Sequence, residues 1–177
     1  MSKLQESVLF DQLREGNPRA VEHFYERYRA RLLRFCVRLL GEDSIAEDIV
    51  HNVFEKLQKQ SATIRSEDGL QSWLFTVARN EAIGELRRKK GEQIDEDILW
   101  DGDLPDQEIM RREQEERIRW VIQQLHAPYR EVILLREYEN MSLEEIAVIT
   151  NSSMAAVKSR LFHARKALVE KMKPFCE

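Results

Sequence analysis

Near the C-terminal end of the sequence, Lys158, Ser159, Phe162, His163 and Lys166 fall on one side of a helix, with Arg160 and Arg165 at its edges. Cations, a hydroxyl, an imidazole and a ring on one face suit recognition chemistry. Lys and Arg donate to phosphates and guanine edges, and a ring can touch a thymine methyl. Bond-making chemistry has no such support. There is no GxxxxGK[ST] or GxGxxG phosphate loop, no HExxH, no CxxC and no GxSxG. Asp95 and Asp97 sit in a stretch too loosely built to hold a carboxylate pair for acid–base work. The four His residues are scattered, and His51 lacks a second His or Cys at ligand spacing. Neither an enzyme nor a metal or other cofactor is expected.

The elements that must present this face are a helix, a tight turn and a second helix. Ser142 followed by Glu145 predicts a capping box, and Leu143, Ile146, Ala147 and Ile149 predict the inner side of a short helix. Asn151 is the expected left-handed residue of the turn, and Ser153 the cap of the second helix. Val157, Leu161, Ala164 and Leu168 then form its buried row. This is a helix-turn-helix with its recognition helix, or else a plain helical hairpin with a solvated charged face.

Upstream, a short amphipathic segment over 4–14 closes at Gly16, and Asn17-Pro18 opens a helix. Its stripe of Val21, Phe24, Tyr25, Tyr28, Leu32, Phe35 and Leu39 reads as core and ends at Gly41. Ser44 with Glu47 predicts the capping box of a third helix, whose buried row is Ile45, Ile49, Val53 and Leu57. Glu47, Asp48, His51, Asn52 and Glu55 fall outside that row, and solvation alone would account for them. A polar loop is expected over 59–69, holding Ser61, Thr63 and Arg65. A fourth helix begins near Leu70, carries Trp73, Leu74, Val77, Ala78 and Leu86, and turns basic from Arg79 to Arg87, Arg88, Lys89 and Lys90. That cluster suits the helix dipole, and beside Trp73 and Asn80 it also suits a nucleic-acid strand.

From Glu92 to Glu108 the sequence turns acidic, without Lys or Arg, and reads as a flexible linker. Helical pattern returns over 110–125, and Pro128 opens a further helix whose Val132, Ile133, Leu135 and Tyr138 should pack on the helix-turn-helix. The expected fold is therefore all-α: a helical domain over 1–91, an acidic linker over 92–109 and a helix-turn-helix domain over 110–177. With 28 Lys and Arg against 32 Asp and Glu in 177 residues, any nucleic-acid contact must come from local patches. Two cysteines without a CxxC, no leader and no long apolar run point to a cytoplasmic protein that does not insert into membranes.

Three strings in order, AEDIVHNVFEKL, QSWLFTVARNEAIGELRRKK and YREVILLREYENMSLEEIAVITNSSMAAVKSRLFHARKAL, closely resemble the extracytoplasmic-function group of sigma-70 family sigma factors. The resemblance spans about Phe24 to Lys171. It implies a dissociable subunit of bacterial RNA polymerase that recognises promoters. Glu47, Asp48, His51, Asn52 and Glu55 would then dock on the clamp helices of the largest catalytic subunit. Ser61, Thr63 and Arg65 would lie in the loop that captures a flipped −10 base. Trp73, Arg79, Asn80, Arg87 and Arg88 would hold the unwound strand. Lys158, Ser159, Arg160, Phe162, His163 and Arg165 would meet the −35 element. The resemblance also implies contact with the beta flap of the polymerase and an anti-sigma factor as partner. The alternative is a stand-alone helix-turn-helix regulator, which would bind duplex DNA without polymerase.

Overall fold

Asn17 and Gly41 frame the helix on which the first half of the chain is built. The Asn17 side chain accepts from the Arg19 N–H at 3.0 Å, and Pro18 fills the first turn. Gly41 ends the helix at φ +81°, donating its N–H to the Val37 carbonyl. The structure, a computed structural model, describes residues 3–90 and 112–175. Its helices are α1 (Lys3–Arg14), α2 (Pro18–Leu40), α3 (Asp43–Gln60), α4 (Glu67–Lys90), α5 (Arg112–Gln123), α6 (Ala127–Ile133), α7 (Leu143–Ile149) and α8 (Met154–Met172). No strand occurs among the described residues, and the all-α expectation is met. The linker expected over 92–109, with Asp95 and Asp97, lies outside them.

Helix α2 packs against α3 and α4. Phe24, Leu32, Phe35 and Leu39 of α2 are buried with Ile49, Val53 and Leu57 of α3 and Leu74, Phe75 and Ala78 of α4. Each large apolar side chain so buried contributes roughly 1.5–3 kcal/mol. Phe35 and Phe75 meet edge to face, with ring centroids 5.3 Å apart. Cys36 lies in the same core, and burial pushes its thiol up to about 12, so it stays neutral filler. Of the expected stripe, Tyr25 stands partly out of the core, edge-on to Phe54.

Three local expectations are corrected. Helix α3 starts at Asp43 with Glu42 as its extended N-cap, so Ser44 forms no capping box with Glu47. Lys89, in the last turn of α4, pairs with Glu42 and holds the corner instead. The polar loop over 59–69 is mostly helical. Helix α3 runs to Gln60, a 3-10 turn covers Ser61–Thr63, and α4 begins at Glu67 rather than near Leu70. Ser66 explains the early start, because its hydroxyl accepts from the Gly69 N–H at 3.1 Å. Tyr138 is 37% exposed and has no place in the buried core beside Val132, Ile133 and Leu135. It lies under the Arg38 guanidinium of α2, 4.3 Å from guanidinium carbon to ring centroid.

Gly16 and Gly41 both have positive φ, but only at Gly41 would a Cβ meet a neighbour, the Gln123 amide at 3.2 Å. Gly16→Ala should therefore cost backbone strain alone, about 1 kcal/mol. Gly41→Ala should cost strain plus displacement of Gln123, and melt lower than Gly16→Ala in a thermal scan. Equal melting points would remove Gln123 from the account.

Candidate nucleic-acid and partner interfaces

The helix-turn-helix forms as its capping residues require. Ser142 Oγ accepts from the Glu145 N–H at 3.1 Å while the Glu145 carboxylate accepts from the Ser142 N–H at 2.8 Å. Asn151 takes the left-handed turn at φ +48°, and Ser153 accepts from the Ala156 N–H at 3.2 Å to start α8. Val157, Leu161 and Ala164 are buried, which turns the opposite side of α8 to solvent. Lys158, Ser159, Phe162, His163 and Arg165 are all exposed there. Phe162 is 66% exposed although nothing polar offsets the hydration of its ring. His163 stacks on Tyr129 of α6 at an interplanar angle of 22°. Arg165 pairs with Glu137 at 2.7 Å. A groove of about 640 Å³ runs beside Phe162, rimmed by Lys158, Arg165, Lys166 and Arg136. Arg160 differs from its neighbours: it turns inward, donating to Ser152 Oγ at 2.8 Å.

On the first group of helices, Glu47, Asp48, His51, Asn52 and Glu55 form an exposed polar row along α3. His51 and Glu55 lie 3.2 Å apart, one turn along the helix. Asn52 reaches Glu81 of α4 at 3.2 Å, where Lys56 also pairs at 2.7 Å. Tyr25, Arg29, Glu47 and His51 line a small cleft that extends this row onto α2. Thr63 and Arg65 are exposed, whereas Ser61 is buried in a turn that touches α1. Trp73 is half-buried; Asn80, Arg87 and Arg88 are exposed, with Arg88 paired to Glu85.

Arg79 lies where the two groups of helices meet. Its guanidinium grips the Glu131 carboxylate of α6 through Nε at 2.7 Å and Nη2 at 3.2 Å. Glu131 is only 1% exposed, and Arg160 stands 3.8 Å from the same carboxylate. A second pair, Arg31 with Glu139 at 3.0 Å, crosses nearby. Glu131 and Glu139 are eight residues apart, which a regular helix would set about 80° out of line. Between them Leu134–Tyr138 forms a π turn, closed by the Glu139 N–H on the Leu134 carbonyl at 3.2 Å. Its wider turn takes up part of that offset, so both carboxylates face the first group.

Arg130 completes the junction. It donates to the Leu39 carbonyl of α2 at 2.6 Å, to Gln123 Oε1 at 2.9 Å and to the Leu125 carbonyl at 3.0 Å. Gln123 donates to the Arg38 carbonyl beside it. Burial lowers the Arg130 guanidinium to about 10, still charged at neutral pH. Arg31, Gln123, Arg130, Glu131 and Glu139 escaped the sequence reading. One signal was present: Glu131 stands directly before the apolar run Val132, Ile133, Leu134 and Leu135, all buried. Among the described residues no cluster of His, Cys, Asp and Glu suits a metal, and no helix is long and apolar enough to cross a membrane.

Two family models match the chain, sigma-70 region 2 over residues 24–92 and sigma-70 region 4 over residues 115–168. RNA polymerase sigma-H factor of Pseudomonas aeruginosa is 26% identical over 187 aligned residues, covering 98% of this chain and 97% of that protein. ECF RNA polymerase sigma factor SigW of Bacillus subtilis is 27% identical over 175, covering 92% and 94%. The solved structure of sigma factor RpoE in complex with the anti-sigma factor NepR, from Bartonella quintana, superposes at a TM-score of 0.67. It is 22% identical, with 86% of this chain and 96% of that one covered.

Losing a Ser cap from a helix typically costs about 1 kcal/mol. Ser142→Ala should therefore lower the melting temperature by roughly 2–4 °C, with α8 keeping its helicity by circular dichroism. An unchanged melting temperature would mean that the capping box does not hold the turn.

Proposed function

This chain belongs to the sigma-70 family, in its extracytoplasmic-function group, and on that premise we propose that it binds core RNA polymerase and directs it to specific promoters. It is a transcription initiation factor and not an enzyme. One observation carries the assignment of surfaces. The first family model contains the exposed row of α3 and the aromatic-basic helix α4, and the second contains the helix-turn-helix whose α8 bares Lys158, Ser159, Phe162 and His163.

In this reading helices α1–α4, within residues 1–91, dock on the polymerase and open the −10 element. Glu47, Asp48, His51, Asn52 and Glu55 meet the clamp helices of the largest catalytic subunit. Their support is a polar row that the fold leaves open, extended by Tyr25 and Arg29. Thr63 and Arg65 stand at the −10 base, with buried Ser61 shaping the turn beneath them. Trp73, Asn80, Arg87 and Arg88 hold the displaced strand, with Arg79 joining them once it leaves Glu131. Binding the single strand draws the duplex open without ATP, because it stabilises only the melted state.

The second unit, residues 110–177, lays α8 in the major groove of the −35 element. Lys158, Ser159, His163 and Arg165 reach phosphates and base edges, and Phe162 meets a thymine methyl. Arg160 positions the helix from within through Ser152. The beta flap of the polymerase is the further contact of this unit, and residues 92–109 connect the two. An anti-sigma factor is the expected antagonist, as for the RpoE protein solved with NepR. The protein acts in the cytoplasm, in keeping with the absence of a spanning helix among the described residues.

Run-off transcription with core polymerase on a pool of genomic promoter fragments tests the whole reading. New transcripts that share −35 and −10 motifs are expected only when this chain is added. Duplex binding by the chain alone, with no transcripts, would hand the case to a stand-alone regulator. Lys158→Ala should weaken promoter transcription by about 5- to 150-fold, the worth of one good groove contact, with polymerase affinity unchanged. Asp48→Ala should weaken polymerase binding, and an unchanged affinity would move the docking surface elsewhere.

A further inference from the structure

We propose that Tyr129, on α6 and outside the helix-turn-helix, is a positioning residue that turns His163 from a general contact into a reader of guanine in the −35 element. What His163 reads rests on the sigma-factor reading; that its ring is held rests on contacts between α6 and α8. The exposed imidazole lies against the Tyr129 ring at an interplanar angle of 22°, with centroids 6.2 Å apart. Phe162 meets it edge to face at 5.4 Å, and His126 meets Tyr129 in the same way at 5.8 Å. Both separations suit attractive ring pairs. Tyr129 is itself firmly seated. Pro128 sits in the first turn of α6, and the Tyr129 N–H donates to the His126 carbonyl at 2.9 Å. The next residue, Arg130, is tied to the Leu39 carbonyl. Three residues on, the buried Val132 lies on the same side of α6 as Tyr129.

Direction is what the long cations of α8 lack. Lys158 and Lys166 end in point charges on flexible stems, which follow a phosphate but take no fixed angle. Arg165 and Arg160 are held, but through their donors: Glu137 takes the one and Ser152 the other. A ring held by its face is different, because its nitrogens lie on the edge and stay available to a base. An imidazole N–H needs an acceptor, and guanine presents two in the major groove, N7 and O6. A loose His on an exposed helix face would lose rotamer freedom on reaching a base, and the Tyr129 contact takes that loss before DNA arrives. The ring contact therefore appears as base preference rather than as general affinity for DNA.

The test is transcription by core polymerase with the full chain on a promoter library randomised over the −35 element, each transcript carrying its promoter's barcode. Wild type should favour guanine at one position, and His163→Ala should reduce that preference by about 5- to 150-fold. Tyr129→Leu should lower the same preference by about 2- to 12-fold, the worth of one ring pair, and leave the other −35 positions unchanged. Tyr129→Phe, which keeps the ring, should keep the preference. In a His163→Ala background, Tyr129→Leu should change nothing further at that position. These are ratios within one variant, so a smaller folded fraction cancels. Tyr129→Gln carries the same expectation if Tyr129→Leu is inactive. Full guanine preference in Tyr129→Leu, an equal loss at every −35 position, or a Tyr129→Phe variant that behaves like Tyr129→Leu would overturn the inference. So would wild-type transcripts with no position that His163→Ala flattens, and the sigma reading would then stand. A library that yields no transcripts with wild type would overturn the sigma reading, and this inference with it.

Discussion

The arrangement of the two helical units turns on one buried cation. A helix leaves its last carbonyls without intrahelical donors, and at the end of α2 two of these, Arg38 and Leu39, receive donors from Gln123 and Arg130 of the other unit. The guanidinium also sits at the negative end of the α2 dipole, where a cation is favoured. Desolvating Arg130 is unfavourable, as its lowered pKa records, and the carbonyls of Leu39, Gln123 and Leu125 together offset that. Because the same side chain spans the α5–α6 turn, the geometry of that turn and the docking of the units are set together.

Around this joint the molecule divides its polar residues in two. Outward rows, on α3 and α8, are open and made of short or flexible groups that a partner can reach. Inward, Arg31, Arg79 and Arg130 meet carboxylates or carbonyls and Arg160 meets the Ser152 hydroxyl, with both distance and direction fixed. Arginine suits the second task because its planar fork satisfies two acceptors at once. Lysines 158 and 166, by contrast, remain at the groove beside Phe162, where a mobile point charge can follow a phosphate.

Local chemistry in the sequence was enough to place most helices. Asn17-Pro18, Gly41, the Ser142–Glu145 pair, Asn151 and Ser153 each act at the end of a helix through near neighbours, so their roles are legible in a linear text. Where reading failed, the deciding partner was distant. Ser44 lies inside α3, which starts at Asp43 behind Glu42, and Glu42 pairs with Lys89, 47 residues on. Tyr138 stays out of the buried core, its ring under the guanidinium of Arg38, a hundred residues earlier. Arg79 and Arg160 look alike as DNA contacts until Glu131, buried at the head of an apolar run, is seen to take Arg79 and Ser152 to take Arg160. Composition separates surface from core well, but it cannot say which of many exposed arginines has a carboxylate waiting across the fold.

The π turn at Leu134–Tyr138 has an evolutionary corollary. A π turn closes i to i+5 where an α turn closes i to i+4, so it holds one residue more than the regular helix needs. Deleting a single residue there would restore an ordinary helix and leave the buried row of α6 intact. Five residues of a π turn and four of an α turn complete about the same rotation, so the helix-turn-helix downstream would keep nearly the same heading. Glu131 and Glu139, then seven residues apart, would still face the same way. Among homologues, gain or loss of one residue at this point is thus a change that the junction can absorb.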